Sequence, residues 1–190
     1  MKFTSKIALL FLVSPLIFTS CKKSDKQNDN TAKDNKAMVN YLAKSDNFAL
    51  EMDNAADQAY AEKTGNNTAQ KPLGVGILGP CATLTLTQDN GLFVLTIDYG
   101  SEGCVCDDGK TRKGKIIATS TDFTALNVTR TITTDSFYVN DYHVDGTITR
   151  DITKDFDAHT RQANITENII ITSPDGQYSF TRNATLTRIL

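Results

Sequence analysis

The chain has 190 residues, 39% of them hydrophobic and 22% charged, with 20 basic against 22 acidic side chains, two His and no Trp. That length suits one domain with a tail. A formal charge of −2 provides no basic field, so nucleic-acid binding has no electrostatic support; two His and no Cys-x-x-Cys run argue against a structural zinc module.

Residues 1–20 read as an export leader. Lys2 and Lys6 form a positive start, and residues 7–18 (IALLFLVSPLIF) are apolar apart from Ser14 and Pro15. A spanning helix needs roughly 20 apolar residues, so this run has the length of a secretory core rather than of an anchor. Small Thr19 and Ser20 lead directly into Cys21. Phe18-Thr19-Ser20-Cys21 resembles the lipobox of bacterial lipoproteins, with Phe18 where Leu is usual. The resemblance implies cleavage before Cys21 by signal peptidase II and acylation of Cys21. An ordinary leader with a chance cysteine is the plainer alternative. The next stretch favours the lipoprotein: residues 22–36 (KKSDKQNDNTAKDNK) hold no apolar side chain except Ala32. Such a segment cannot offset its chain entropy and is expected to be a disordered tether. Acyl chains at about 0.8 kcal/mol per buried methylene would hold the protein to a membrane. Removing the leader leaves 18 basic against 22 acidic residues.

Residues 34–62 have helical periodicity. Met38, Tyr41, Leu42, Phe48, Ala49, Met52, Ala55, Ala56, Ala59 and Tyr60 recur at steps of three and four, with Ser45 the weak position. The expected helix packs on the domain core through this stripe, with Asp, Asn, Lys and Gln facing water. Residues 64–80 read as a flexible connector. Its G-V-G-I-L-G formally matches a dinucleotide loop, but Lys71-Pro72 precedes it and Pro80-Cys81 follows where a helix should run.

From Cys81 the period becomes two, and 21 threonines lie between Thr83 and Thr187. Asn90-Gly91 makes a two-residue turn, so partners sum to 181. Leu86 then faces Leu95, Leu84 faces Ile97 and Ala82 faces Tyr99 on one side; Thr85 faces Thr96 and Thr83 faces Asp98 on the other. Around Asp175-Gly176, Ile171 faces Phe180 and Ile165 faces Leu186, while Glu167–Ala184 and Ile169–Arg182 make that face less pure. Around Asn140-Asp141, Val139 meets Tyr142. Farther out the parity fails, because Val128 and Ile132 are even while Phe137 and Val139 are odd. One extra residue near Thr134-Asp135, a β-bulge, restores it. The expected strands are 82–88, 92–99, 114–121, 127–139, 142–153, 162–172 and 177–188. The expected fold is mainly β, of α+β type: a curled antiparallel meander of about seven strands, one face apolar and one of threonine and charge, with the helix on the apolar face. The plan is leader 1–20, Cys21 and tether 21–36, amphipathic helix 37–63, linker 64–80 and β domain 81–190.

Cys81, Cys104 and Cys106 remain. An exported protein sits in an oxidising compartment, and the first hairpin places Cys81 opposite Gly100, so the expected bond is Cys81–Cys104, with Cys81–Cys106 as the alternative. Asp98, Glu102, Asp107 and Asp108 surround the 100–109 loop; a hard cation such as calcium would accept their oxygens, although the spacing is not an EF-hand and an ordinary polar turn has the same composition. His143 beside Asp145 and opposite Tyr138 has the ingredients of acid–base chemistry, and equally those of an exposed strand; His159 reads as loop filler. No G-x-S-x-G or P-loop is present. No catalytic residue and no cofactor are assigned.

C-A-T-L-T-L-T, L-T-I-D-Y-G, D-D-G-K-T-R-K-G-K-I-I and Y-V-N-D-Y-H-V-D-G-T-I-T, within 81–148, together resemble a group of Bacteroidota lipoproteins of unknown function. There an acylated cysteine, a helix and a threonine-rich β domain follow in that order. Members often continue past a stretch like T-L-T-R-I-L, so the resemblance implies a shortened version with an open edge and a thiol without its partner. The functional expectation is an outer-membrane lipoprotein, partnered by the membrane through its lipid, whose β domain is a non-enzymatic module for an apolar or glycan ligand. The alternatives are a structural or surface-interaction protein and, last, an envelope hydrolase using Asp and Glu.

Overall fold

The computed structural model describes residues 28–65, 76–121, 125–155, 157 and 160–189, with helical side chains from Val39 onward. Cys21, the leader, the first residues of the tether and His159 lie outside the described residues. One helix, α1 (Asn28–Thr64), precedes β1 (Thr83–Asp89), β2 (Leu92–Asp98), β3 (Cys104–Val105), β4 (Thr111–Ser120), β5 (Asn127–Val139), β6 (Tyr142–Asp155), β7 (Thr160–Thr172) and β8 (Ser179–Ile189). The strands form one antiparallel sheet in the order β1-β2-β4-β5-β6-β7-β8, with β3 paired to β4. The sheet does not close. It is the expected meander, with α1 against one face and in contact with every strand except β3.

The turn arithmetic holds across the outer hairpins. Leu86 pairs with Leu95 and Leu84 with Ile97; Ile171 pairs with Phe180 and Ile165 with Leu186. The expected bulge is present. Between Thr133 and Tyr138 the β5–β6 register shifts, and β4–β5 shifts between Lys113 and Lys115. Ser136 takes the extra place, with φ 49°. Val128 and Ile132 before it and Phe137 and Val139 after it are all buried. Gly114 makes the bulge possible: a Cβ there would sit 1.9 Å from the Ser136 carbonyl oxygen, so no other residue fits.

Four expectations need correction. The helix begins at Asn28, so 28–36 is helical rather than tether; the stretch contains no Gly or Pro, and a helix already nucleated by packing gains one hydrogen bond per added residue. Residues 76–80 are not a free connector: Ile77 and Leu78 are buried, and Asp107 N–H donates to the Gly76 carbonyl at 3.0 Å. Short β3 was not expected, and β4 starts at Thr111 rather than 114. Finally, the inner face is not purely apolar. Besides Glu167, which hairpin arithmetic had placed there, Arg112, Arg130 and Arg150 are buried on it, as are Glu51 and Asp53 of α1, while Leu42 of the helical stripe is 55% exposed.

The core lies between α1 and the sheet. Ala49, Met52, Ala55, Ala56 and Ala59 pack on Ile97, Ile116, Ile132, Val144, Ile148, Ile165, Ile169 and their neighbours. Small alanines let the helix backbone approach closely, so the inner face is filled by the protein's own helix.

Candidate functional site

Two constellations of polar side chains stand out, one on each face of the sheet. On the inner face, arginines from the strands meet carboxylates from α1. Fully buried Arg112 donates from Nε to Glu51 at 2.7 Å and from both terminal nitrogens to Asp108 at 2.8 and 2.7 Å, while Lys110 reaches Glu51 at 2.6 Å. Arg150 bonds Asp53 at 2.7 Å and Asp57 at 3.0 Å; Arg130 also pairs with Asp57, and Arg188 lies 3.5 Å from Asp53. Arg182 joins Glu167 at 2.6 Å and pairs with Asp46. Burial pushes the Asp53 carboxyl up, against the pull of Arg150. Burial also acts upward on Asp57 and Asp108, but Arg130 and Arg150 outweigh it for Asp57, and Arg112 with the Lys110 N–H does so for Asp108; both carboxyls end below the usual range. These charges pair with one another, leaving only the buried Arg150 Nε without a hydrogen-bond partner among the named groups, and fasten helix to sheet.

On the outer face the bulge opens a groove of about 540 Å³ whose lining includes Asp98, Ser101, Lys115, Asp135, Ser136 and Tyr138. It forms where β4 leaves its regular pairing: Gly114 N–H donates to the Gly100 carbonyl at 2.8 Å, and Tyr99 N–H to the Gly114 carbonyl at 2.9 Å. Asp98 accepts from the Gly100 N–H at 2.9 Å and lies 3.3 Å from Lys115; chiefly that N–H, with Lys115 in support, holds its carboxyl below the ordinary range. Ser136 Oγ donates to Asp135 at 3.2 Å. The Tyr138 ring is flanked by Lys113, 4.4 Å from its centroid, and by the His143 ring at 4.7 Å. Beyond the groove, row upon row of hydroxyls crosses the sheet. Cross-strand register aligns Thr87, Val94, Thr119, Thr131, Thr149, Thr166 and Thr185.

The disulfide joins Cys81 to Cys104, with Cα atoms 5.6 Å apart. Cys106 is free and buried; its thiol, pushed up by burial, donates to the Cys104 carbonyl at 3.6 Å. The four carboxylates of the calcium expectation are not brought together. Asp98 serves Gly100 and Lys115, Asp108 is spent on Arg112, Glu102 accepts from Ser101 at 3.2 Å, and the Asp107 backbone is tied to Gly76. Among the described residues no three His, Cys, Asp or Glu side chains are grouped to hold a metal. His143 and Asp145 share the outer face without a bond between them; His143 stacks on Tyr138, and Asp145 accepts from Thr134 at 3.4 Å.

Hairpin arithmetic placed Glu167 and Arg182 on the inner face, whereas Arg112, Arg130 and Arg150 and their partners on α1 escaped sequence reasoning although a signal existed. Arg130 and Arg150 fall at inward parity between apolar residues, in Val128-x-Arg130-x-Ile132 and Ile148-x-Arg150-x-Ile152. The groove had a fainter one, the parity break at residues 134–135. Comparison with family models, curated proteins and solved structures finds no match for this chain.

Proposed function

We propose that this protein is a lipid-anchored lipoprotein of the outer membrane whose β domain is a non-enzymatic glycan-binding module. The anchor rests on the leader and Cys21. The choice of glycan over apolar ligand rests on one observation: α1 fills the apolar face of the sheet, with Met52, Ala55, Ala56 and Ala59 all fully buried. A ligand therefore meets the outer face, which is dressed with hydroxyls, amides and scattered charges. Such a surface matches the hydrogen-bonding needs of a polyol far better than those of an acyl chain. No helix among the described residues is long and apolar enough to cross a membrane.

Two measurements test this reading. Labelled fatty acid should enter the wild-type chain and not Cys21→Ala; equal labelling would remove the anchor. The purified protein should be retained by spots on a glycan array and leave the fluorescence of 1-anilinonaphthalene-8-sulfonate unchanged. Strong dye uptake with a blank array would reverse the ligand class.

A second reading is assembly through the sheet edges. β1 and β8 each pair on one side only, and Ile189 at the end of β8 is 74% exposed. Light scattering from a concentrated solution would reveal oligomers under that reading and a monomer under the first.

A further inference from the structure

Glycan binding, taken from the proposed function, does not say where a sugar sits. We propose that the groove at the β5 bulge is the primary subsite and that it takes one neutral pyranose unit with vicinal hydroxyls.

The bulge itself carries the argument. In a regular strand consecutive side chains leave on opposite faces. Here the additional residue, with Ser136 in the left-handed region at φ 49°, leaves Asp135 and Ser136 both exposed while Phe137 still turns into the core. A carboxylate and a hydroxyl are thereby offered side by side at the mouth of a concavity. Backbone strain of this kind at a bulge re-aims side chains. Opposite them stands the Asp98–Lys115 pair, so the groove has an acceptor–donor couple on one side and an acceptor–hydroxyl couple on the other. Adjacent sugar hydroxyls, each both donor and acceptor, satisfy such couples directly.

Charge narrows the class. The groove holds Asp98 and Asp135 against Lys113 and Lys115, which cancel. Lys115 is taken up by Asp98, and Lys113 by Asp141 at 3.9 Å and by the Tyr138 ring. A phosphate or uronate would have to compete with Asp98 or Asp141 for its cation, and two carboxylates form no cage for a metal. Tyr138 lines the groove with Lys113 over its ring and the His143 ring stacked on it, and its phenol adds a further hydrogen-bonding group. The hydroxyl rows that cross the sheet beyond the groove would let a longer chain continue past the first unit.

The test is calorimetric titration of the full chain with cellobiose, N,N′-diacetylchitobiose and maltose, alongside the glycan array. Binding of at least one disaccharide is expected, weakened at least tenfold in Asp135→Asn and in Tyr138→Ala, and unchanged in Glu62→Gln, an exposed position of α1 on the opposite side of the sheet. Ser136→Gly keeps the left-handed backbone and so guards against misfolding; it should also weaken binding, with an unaltered circular dichroism spectrum. A disaccharide that binds all groove variants as it binds wild type would overturn the subsite and leave the glycan reading standing. Array glycans retained while all three disaccharides fail would have the same meaning. A blank array together with silent titrations would overturn both.

Discussion

Arg112 shows how single residues hold this fold. Its guanidinium is wholly buried and ties α1 to β4 and to the 106–108 turn through Glu51 and Asp108. Breaking a buried pair leaves an uncompensated charge. Arg112→Ala is therefore expected to lower stability by about 3 kcal/mol, at the lower end for such losses because Lys110 still reaches Glu51; urea denaturation measures it, and a change under 1 kcal/mol would reduce the pair to a surface-like contact. The carboxylates set the acid response. Asp57 and Asp108 are held below their ordinary 3.8, so the stability they contribute is complete above that value and is lost as pH falls through their depressed folded values. Asp53 is shifted the other way, so its charge costs stability at neutral pH and that cost is relieved in acid. The urea midpoint of wild type should fall below about pH 4, and Asp108→Asn should start lower and fall less; parallel profiles would contradict the assignment. At this scale the sequence was only partly legible. Ile and Val at inward parity announced the core, whereas an arginine at the same parity shows its partner only once the helix is docked.

At the scale of elements, the bulge and the staple are the joints of the sheet. Gly114 on β4 has φ 80° and no room for a Cβ against Ser136 oxygen. Its neighbour there is backbone and cannot swing away, so Gly114→Ala should cost about 4 kcal/mol or more and displace the β4–β5 register. Thermal unfolding would show the loss, and an unchanged melting temperature would mean that the bulge relaxes freely. The Cys81–Cys104 bond closes a loop with a sequence separation of 23. Cys81→Ser should lower stability by about 3 kcal/mol, read against wild type without reductant. Hairpin registers were legible because a two-residue turn and a period of two leave one solution: Leu84–Ile97 and Ile165–Leu186 followed from arithmetic alone. The parity break in β5 likewise located the bulge. The start of α1 was not legible, because residues 28–36 carry no apolar signal and their helicity is borrowed from the packed segment after them. β3 was equally silent, since two residues hold no period.

At the scale of the whole molecule, the one helix among the described residues spans an open antiparallel sheet and consumes its apolar face, leaving a polar face, two edges and a groove. The architecture was readable from one long helical stripe followed by alternating strands, each needing the other to bury its apolar side. The groove was signalled only by the parity break in β5, because it arises from a backbone irregularity where three strands meet and not from any motif. The division of labour between the two faces requires α1 to stay seated. Hydrogen–deuterium exchange followed by mass spectrometry tests this directly. The account predicts that peptides covering residues 48–59 exchange as slowly as those from β5 and β6, because helix and sheet open only together. Exchange of the helix within seconds, while the sheet remained protected for hours, would mean that the inner face is a cleft which the helix merely visits, and the assignment of ligand binding to the outer face would be contradicted.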